Sequence, residues 1–151
     1  MIREQLKKAL IEALKNKDEK KTATIRLINA AIKDKDIEAR PKGITDGIDD
    51  TAVMSLLQSM VKQRKESIEM YKQGNREDLV ASEQAEIDII NQFLPQQMNE
   101  EETKQAIATV IQETGATSIK DMGKVMGGLK AKYAGKMDFS TASQLIKTLL
   151  S

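Results

Sequence analysis

A chain of 151 residues with 24 Lys and Arg, 23 Asp and Glu, and neither His nor Cys has the length for one ordinary domain or two small ones. The missing residue types exclude disulfides, thiolate and imidazole metal sites, and every nucleophilic arrangement that relies on cysteine or histidine. Its longest apolar runs are about four residues against the roughly 20 that span a bilayer, and Arg3, Glu4, Lys7 and Lys8 occupy the place of a leader's apolar core, so a cytoplasmic protein is expected.

The net charge of +1 conceals a gradient. Residues 1–45 hold 12 basic and 7 acidic side chains, and residues 46–97 hold 5 and 10. Residues 98–115 carry one lysine against four glutamates, whereas residues 116–151 carry six lysines against Asp121 and Asp138. The last third is therefore locally basic.

From Ile2 to about Lys15, Ile2, Leu6, Leu10 and Leu14 recur every fourth position with charges between them, which predicts an amphipathic helix. Asp18 is placed to cap a second helix with Ile25, Ile28, Ala31 and Ile32 on its buried stripe. Pro41, Gly43 and Gly47 end it in an irregular segment. Asp49 or Asp50 starts a long third helix whose stripe runs from Val53 through Leu57, Met60, Arg64 and Ile68 to Tyr71, with Gly74 at its end. Asn75 with Asp78 forms the pattern that opens a fourth helix, carrying Leu79, Val80, Ile87, Ile90 and Phe93.

Phe93-Leu94-Pro95 stops that helix, because proline lacks an amide proton and disfavours the helical conformation in the residue before it. Asn99 with Glu102 opens a fifth helix, stopped by Gly115. Ser118 with Asp121 marks the start of a sixth, stopped by Gly135, and Asp138 caps a seventh. Leu145, Ile146, Leu149, Val125 and Leu129 are the expected centre of the tail core. No stretch alternates with period two for long enough to form a strand. The expected fold is all-α: an N-terminal helical domain of about four helices over residues 1–95, one of them long, and a small three-helix domain over residues 96–151.

The most informative local pattern is Asp121-Met122-Gly123-Lys124-Val125-Met126-Gly127-Gly128-Leu129-Lys130. Glycine inside a helix costs about 1 kcal/mol relative to alanine, so three in one short helix require a reason. Gly123 and Gly127 share a helical face, open either to close approach by another helix or to contact with a ligand such as a nucleic-acid backbone. The spacing is not that of a dinucleotide or phosphate-binding loop. Lys120, Lys124, Lys130, Lys132 and Lys136 supply cations able to neutralise phosphates, and the competing reading is a solvated surface. Only Tyr133 and Phe139 are aromatic in the tail, which favours shape and backbone recognition of folded RNA over base stacking.

In the front domain, Lys62-Gln63-Arg64-Lys65 reads as a solvated basic face apart from Arg64, which falls on the apolar stripe and is expected to pair with Glu83 or Glu86. Glu83, Glu86 and Asp88 lack the multi-helix glutamate and histidine arrangement of a helical di-metal site. No serine has a base arrangement that would make it nucleophilic. No catalytic residue, metal or cofactor is assigned.

The chain resembles the GatB/YqeY family, and most closely its stand-alone YqeY-like members. The resemblance runs nearly the whole length. It rests on Ile25-Arg26-Leu27, Ala30-Ala31-Ile32-Lys33, Lys62-Gln63-Arg64-Lys65, Ser67-Ile68, Tyr71, Gly74 with Arg76 and Leu79, Glu83, Glu86-Ile87, Phe93-Leu94-Pro95, Asp121 to Gly127, and Gly135 with Asp138. It implies a C-terminal domain similar to the tail of the B subunit of the tRNA-dependent amidotransferase, which helps hold misacylated tRNA while ammonia from glutamine amidates the attached amino acid. By position, Lys120, Gly123, Lys124, Gly127, Lys130 and Lys136 become the candidates for RNA contact. Catalysis does not carry over, since nothing corresponds to the B subunit's cradle domain or to the Ser-Ser-Lys machinery of the amidase subunit. The expected function is a non-catalytic module that binds tRNA or a tRNA–protein complex. The alternatives are a protein-interaction adaptor and a component of a carbon–nitrogen ligase using glutamine as amide donor.

Overall fold

Short polar side chains set several of the helix starts. In a computed structural model that describes residues 1–150, Asp18 accepts from the Lys21 amide at 3.1 Å to open α2 (Glu19–Ala39), and Asp49 accepts from the Ala52 amide at 2.9 Å to open α3 (Asp50–Gln73). Asn99 and Glu102 form a reciprocal capping box at the start of α5 (Glu100–Thr114). Asp138 accepts from the Ser140 amide and the Thr141 hydroxyl ahead of α7 (Phe139–Leu150). Each bond from a backbone amide satisfies a donor that the first helical turn cannot pair internally. With α1 (Ile2–Lys15), α4 (Glu77–Asn91) and α6 (Met122–Tyr133), the described residues form seven α-helices and two short 3₁₀ turns, with no strand among them. The fold is all-α.

Two expected caps fail, each for a local reason. Asn75 does not open α4: it takes a left-handed conformation at φ 57° and closes α3, with the Arg76 amide reaching the Tyr71 carbonyl at 2.9 Å. Asp78 is held instead by the Arg76 guanidinium. Ser118 and Asp121 do not form a box either. The Asp121 carboxylate accepts from the Thr117 amide at 3.0 Å, and a 3₁₀ turn over Ile119–Asp121 precedes α6.

The chain divides into two compact units, Met1–Pro95 and Gln96–Ser151. In the first, Leu6, Ile25, Ile28, Val53, Leu57 and Ile90 are essentially sealed from solvent at the junction of α1–α4. Two polar clusters fix how these helices pack. The Arg3 guanidinium donates to both Asp36 oxygens at 3.0 and 2.7 Å and to the Ile48 carbonyl, while the Ile48 amide donates to Asp36 at 2.8 Å, so the segment before α3 is clasped to α1 and α2. Gly47 belongs to this clasp, since a Cβ there would stand 2.8 Å from the guanidinium. Glu86 on α4 accepts from Arg64 of α3 at 3.1 Å and from Lys20 of α2 at 3.5 Å. The expected pairing of Arg64 is thus with Glu86, and Lys20 is a third member that sequence spacing did not suggest.

The second unit packs Ile107 and Val110 of α5, Val125 and Leu129 of α6, and Ile146 of α7 around Met137. Leu149, expected in this core, is 55% exposed in the last turn of α7, and the buried Met137 side chain occupies core volume instead. The turn before α7 is tied down by the Met98 amide donating to the Lys136 carbonyl and the Gln97 side chain donating to the Gly135 carbonyl. Gly115, at φ 68°, ends α5 in the left-handed conformation that glycine adopts without a side-chain clash.

Candidate nucleic-acid interface

Helix α6 sorts its residues by face. Val125 and Leu129 point into the core. Gly128 faces α5 so closely that a Cβ would lie 2.8 Å from Val110 Cγ1, which explains one of the three helical glycines by packing. Gly123 and Gly127 have a different surrounding: nothing lies within 4 Å of where either Cβ would be, and both are exposed. Close packing against a neighbouring helix, one of the two expectations for the Gly123–Gly127 face, is found instead at Gly128, which lies off that face.

At 100° per residue, Gly123, Gly127 and Ala131 form one stripe, with Lys124 on one side of it and Lys130 on the other. All five are exposed. Lys120 lies in the 3₁₀ turn leading into this face, also exposed. Lys132 points elsewhere: its ammonium donates to Glu113 of α5 at 2.6 Å, and this partner raises its pKa. Lys136 sits in the turn beyond α6, with its backbone carbonyl occupied by Met98 and its side chain exposed. Lys120, Gly123, Lys124, Gly127 and Lys130 are thus brought together, Lys132 is drawn to α5, and Lys136 lies beyond the end of the helix. Asp121 is the nearby anion. The Thr117 amide holds its carboxyl below the ordinary range, and the charge of Lys124 adds a smaller effect in the same direction.

What this face offers chemically is a cationic strip with a bare backbone in its middle. A phosphate chain or another helix can approach such a surface more closely than one covered by side chains. Residues 3–150 match the family described as Yqey-like protein. The chain belongs to that family. Among its relatives is altered inheritance of mitochondria protein 41, mitochondrial, of Lachancea thermotolerans, 41% identical over 91 residues, which cover 60% of this chain and 46% of the relative. The Saccharomyces cerevisiae protein of the same name is 36% identical over 96 residues, covering 64% and 48%. That of Eremothecium gossypii is 37% identical over 89 residues, covering 59% and 46%. The YqeY-like chain thus spans about half the length of the fungal relatives it matches. No helix among its described residues is long and apolar enough to cross a membrane.

Proposed function

We propose that this YqeY-like protein is a non-catalytic module whose C-terminal unit binds tRNA, or a tRNA–protein complex, through the exposed face of α6, in a cytoplasmic setting. One observation carries the reading: Gly123 and Gly127 lie on an exposed face with no intramolecular neighbour, between Lys124 and Lys130 and next to Lys120. Interior glycine costs a helix about 1 kcal/mol, and the fold recovers that cost only at Gly128. A sugar–phosphate backbone lying along the stripe would make contacts that a β-carbon blocks, and the lysines would neutralise its phosphates. The resemblance that Asp121 to Gly127 and Gly135 with Asp138 bear to the tail of the amidotransferase B subunit points the same way.

Filter binding with purified tRNA tests it. Affinity well below millimolar is expected, weakening as salt rises, with a log–log slope of about −2 to −3 if three lysines each neutralise one phosphate. Lys124→Ala and Lys130→Ala each reduce that slope by about 1. Lys132→Ala, which removes the cation already held by Glu113, leaves it nearly unchanged. Millimolar affinity, or binding indifferent to salt, would overturn the assignment.

A further inference from the structure

The front unit carries an unpartnered surface of different chemistry. Helices α1 and α2 form a hairpin joined by a left-handed Lys17, and their inward faces, with Leu6, Ala13, Ile25 and Ile28, are buried. On the outward side the seam opens into a cleft of about 370 Å³ lined by Leu14, Lys17, Glu19, Thr22, Ala23 and Arg26. That is within the range of about 300–1,000 Å³ typical of binding clefts.

The apolar surface continues beyond the cleft. Leu14 is 50% exposed, and Ile11 on the same outward side of α1 and Leu27 one turn beyond Ala23 on α2 are each 48% exposed. Scattered apolar residues on a surface are ordinary, but here Leu14 lines the cleft itself, and Ile11 and Leu27 extend the exposed apolar surface outward along α1 and α2. Ala23 and Ala30, both exposed, repeat after two turns of α2, about 10 Å apart along its axis. Small residues at that interval leave depressions into which a third helix can set side chains spaced i, i+3 or i+4, and i+7.

Charge selects the occupant. Lys7, Lys17, Arg26 and Lys33 border the seam, all exposed and none in an ion pair among the described residues, against Glu19 in the cleft and, farther out on the two helices, Glu4 and Asp34. A nucleic acid would suit the cations but leave the aliphatic side chains uncovered, and all four aromatic residues (Tyr71, Phe93, Tyr133, Phe139) lie outside α1 and α2, so no base-stacking platform is present. We propose that the α1–α2 seam docks an amphipathic helix of another protein, with aliphatic residues on its buried face and Asp or Glu on its flanks. The assignment is independent of the RNA reading of α6.

The test uses the full chain and two fluorescein-labelled synthetic helices. Both have leucine at i, i+4, i+7 and i+11; one has glutamate at the flanking positions and the other lysine. By fluorescence anisotropy the glutamate helix should bind with Kd of about 100 µM or tighter, and the lysine helix about tenfold more weakly. Leu14→Ser and Leu27→Ser, on different helices, should each weaken the glutamate helix about fivefold or more, with the melting curve by circular dichroism unchanged. Arg26→Glu should narrow or invert the preference between the two helices. Equal binding of both helices, binding that survives all three substitutions, or no binding at 1 mM peptide would each overturn the proposal. So would two alternatives read in parallel: loss of tRNA affinity in Arg26→Glu without glutamate-helix binding, which makes the seam an RNA surface, and Leu14-dependent self-association in sedimentation, which makes its occupant a second copy.

Discussion

The three glycines of α6 should respond to one added methyl group with different signs. Gly127 is interior, in helical conformation, and open on the side where a Cβ would go. Gly127→Ala should therefore stabilise the C-terminal unit by about 0.5–1 kcal/mol through helix propensity and a less flexible unfolded chain. Gly123 lies in the first turn, where propensity counts for less, and alanine there gains a few tenths. Gly128→Ala starts with the same propensity gain and then places its methyl 2.8 Å from Val110 Cγ1. Val110 is 1% exposed and, as a β-branched residue in a helix, has essentially one comfortable χ1. Overpacking of this kind costs about 1–3 kcal/mol, so the net effect is destabilisation by about 0–2 kcal/mol. Because the chain has two units, native-state hydrogen exchange resolved to peptides of α5–α7 is the suitable assay. A change of 1 kcal/mol moves local opening constants about fivefold. If Gly128→Ala protected these amides as well as Gly127→Ala does, the division of the glycines into one packed and two free would be wrong. The same variants bear on RNA: Gly127→Ala should raise protection in α6 while lowering tRNA affinity. A variant that is more stable and binds equally well would leave the bare stripe without a role in binding.

In the front unit, the hydrogen bonds from Arg3, followed by the Ile48 amide, hold the Asp36 carboxyl below its ordinary range. A carboxylate depressed in the folded state stabilises at pH above the unfolded value, near 4, and that contribution is lost as pH falls through the lower folded value. Asp36→Asn should therefore cost about 1–2 kcal/mol at neutral pH, after allowance for solvent screening of a partly exposed pair. It should also flatten the acid limb of a stability-against-pH curve from urea melts below about pH 4; an unchanged acid limb would refute the clasp. At the α2–α3–α4 junction, Glu86→Ala leaves Arg64, 15% exposed, without its carboxylate, and a loss of about 2 kcal/mol is expected, short of the ~3–5 of a fully buried pair. Replacing both residues by Arg64→Met and Glu86→Leu should cost less than the two single changes together by about 1 kcal/mol or more. Strict additivity in that cycle would mean the pair is not coupled.

Local chemistry made much of the fold legible. Asp18, Asp49 and Asn99 cap helices because each needs only its own side chain and an amide three residues on. Asn75–Asp78 and Ser118–Asp121 carry the same pattern and fail locally: the end of α3 uses Asn75, and the Ser118 side chain makes no cap bond while Asp121 turns chiefly to the Thr117 amide. The stripe of α1 misleads for a geometric reason. A repeat of four residues advances 40° per step on a helix of 3.6 residues per turn, so three steps from Ile2 carry Leu14 about 120° around. Leu14 is exposed as a result, and Ala13 is buried in its place. Arg3–Asp36 and Lys20–Glu86 join residues 33 and 66 positions apart, and no periodicity announces such pairs. Within α6 the spacing already set Gly123 and Gly127 on one face and Gly128 and Lys132 off it, but only the position of Val110 shows that Gly128 is the packed glycine, and only Glu113 shows what holds Lys132.

The charge gradient along the chain acquires a physical meaning from these pairings. The ion pairs fall into two groups. Arg3, Lys20, Arg64 and Lys132 each join two elements of the same unit, whereas Lys35, Lys72, Arg76 and Lys104 each pair with a carboxylate no more than four residues away. Among the described cations in no ion pair, two groups stand out: Lys7, Lys17, Arg26 and Lys33 along an aliphatic seam, and Lys120, Lys124 and Lys130 along the glycine stripe. The two remainders differ in what they place between the charges. Leucine and isoleucine gain free energy only when another apolar surface covers them, whereas exposed glycine gains only when something approaches the backbone more closely than a β-carbon permits. The same residue type, lysine, therefore serves different ligand chemistries in the two units, and the neighbours of each lysine, more than its charge, decide which.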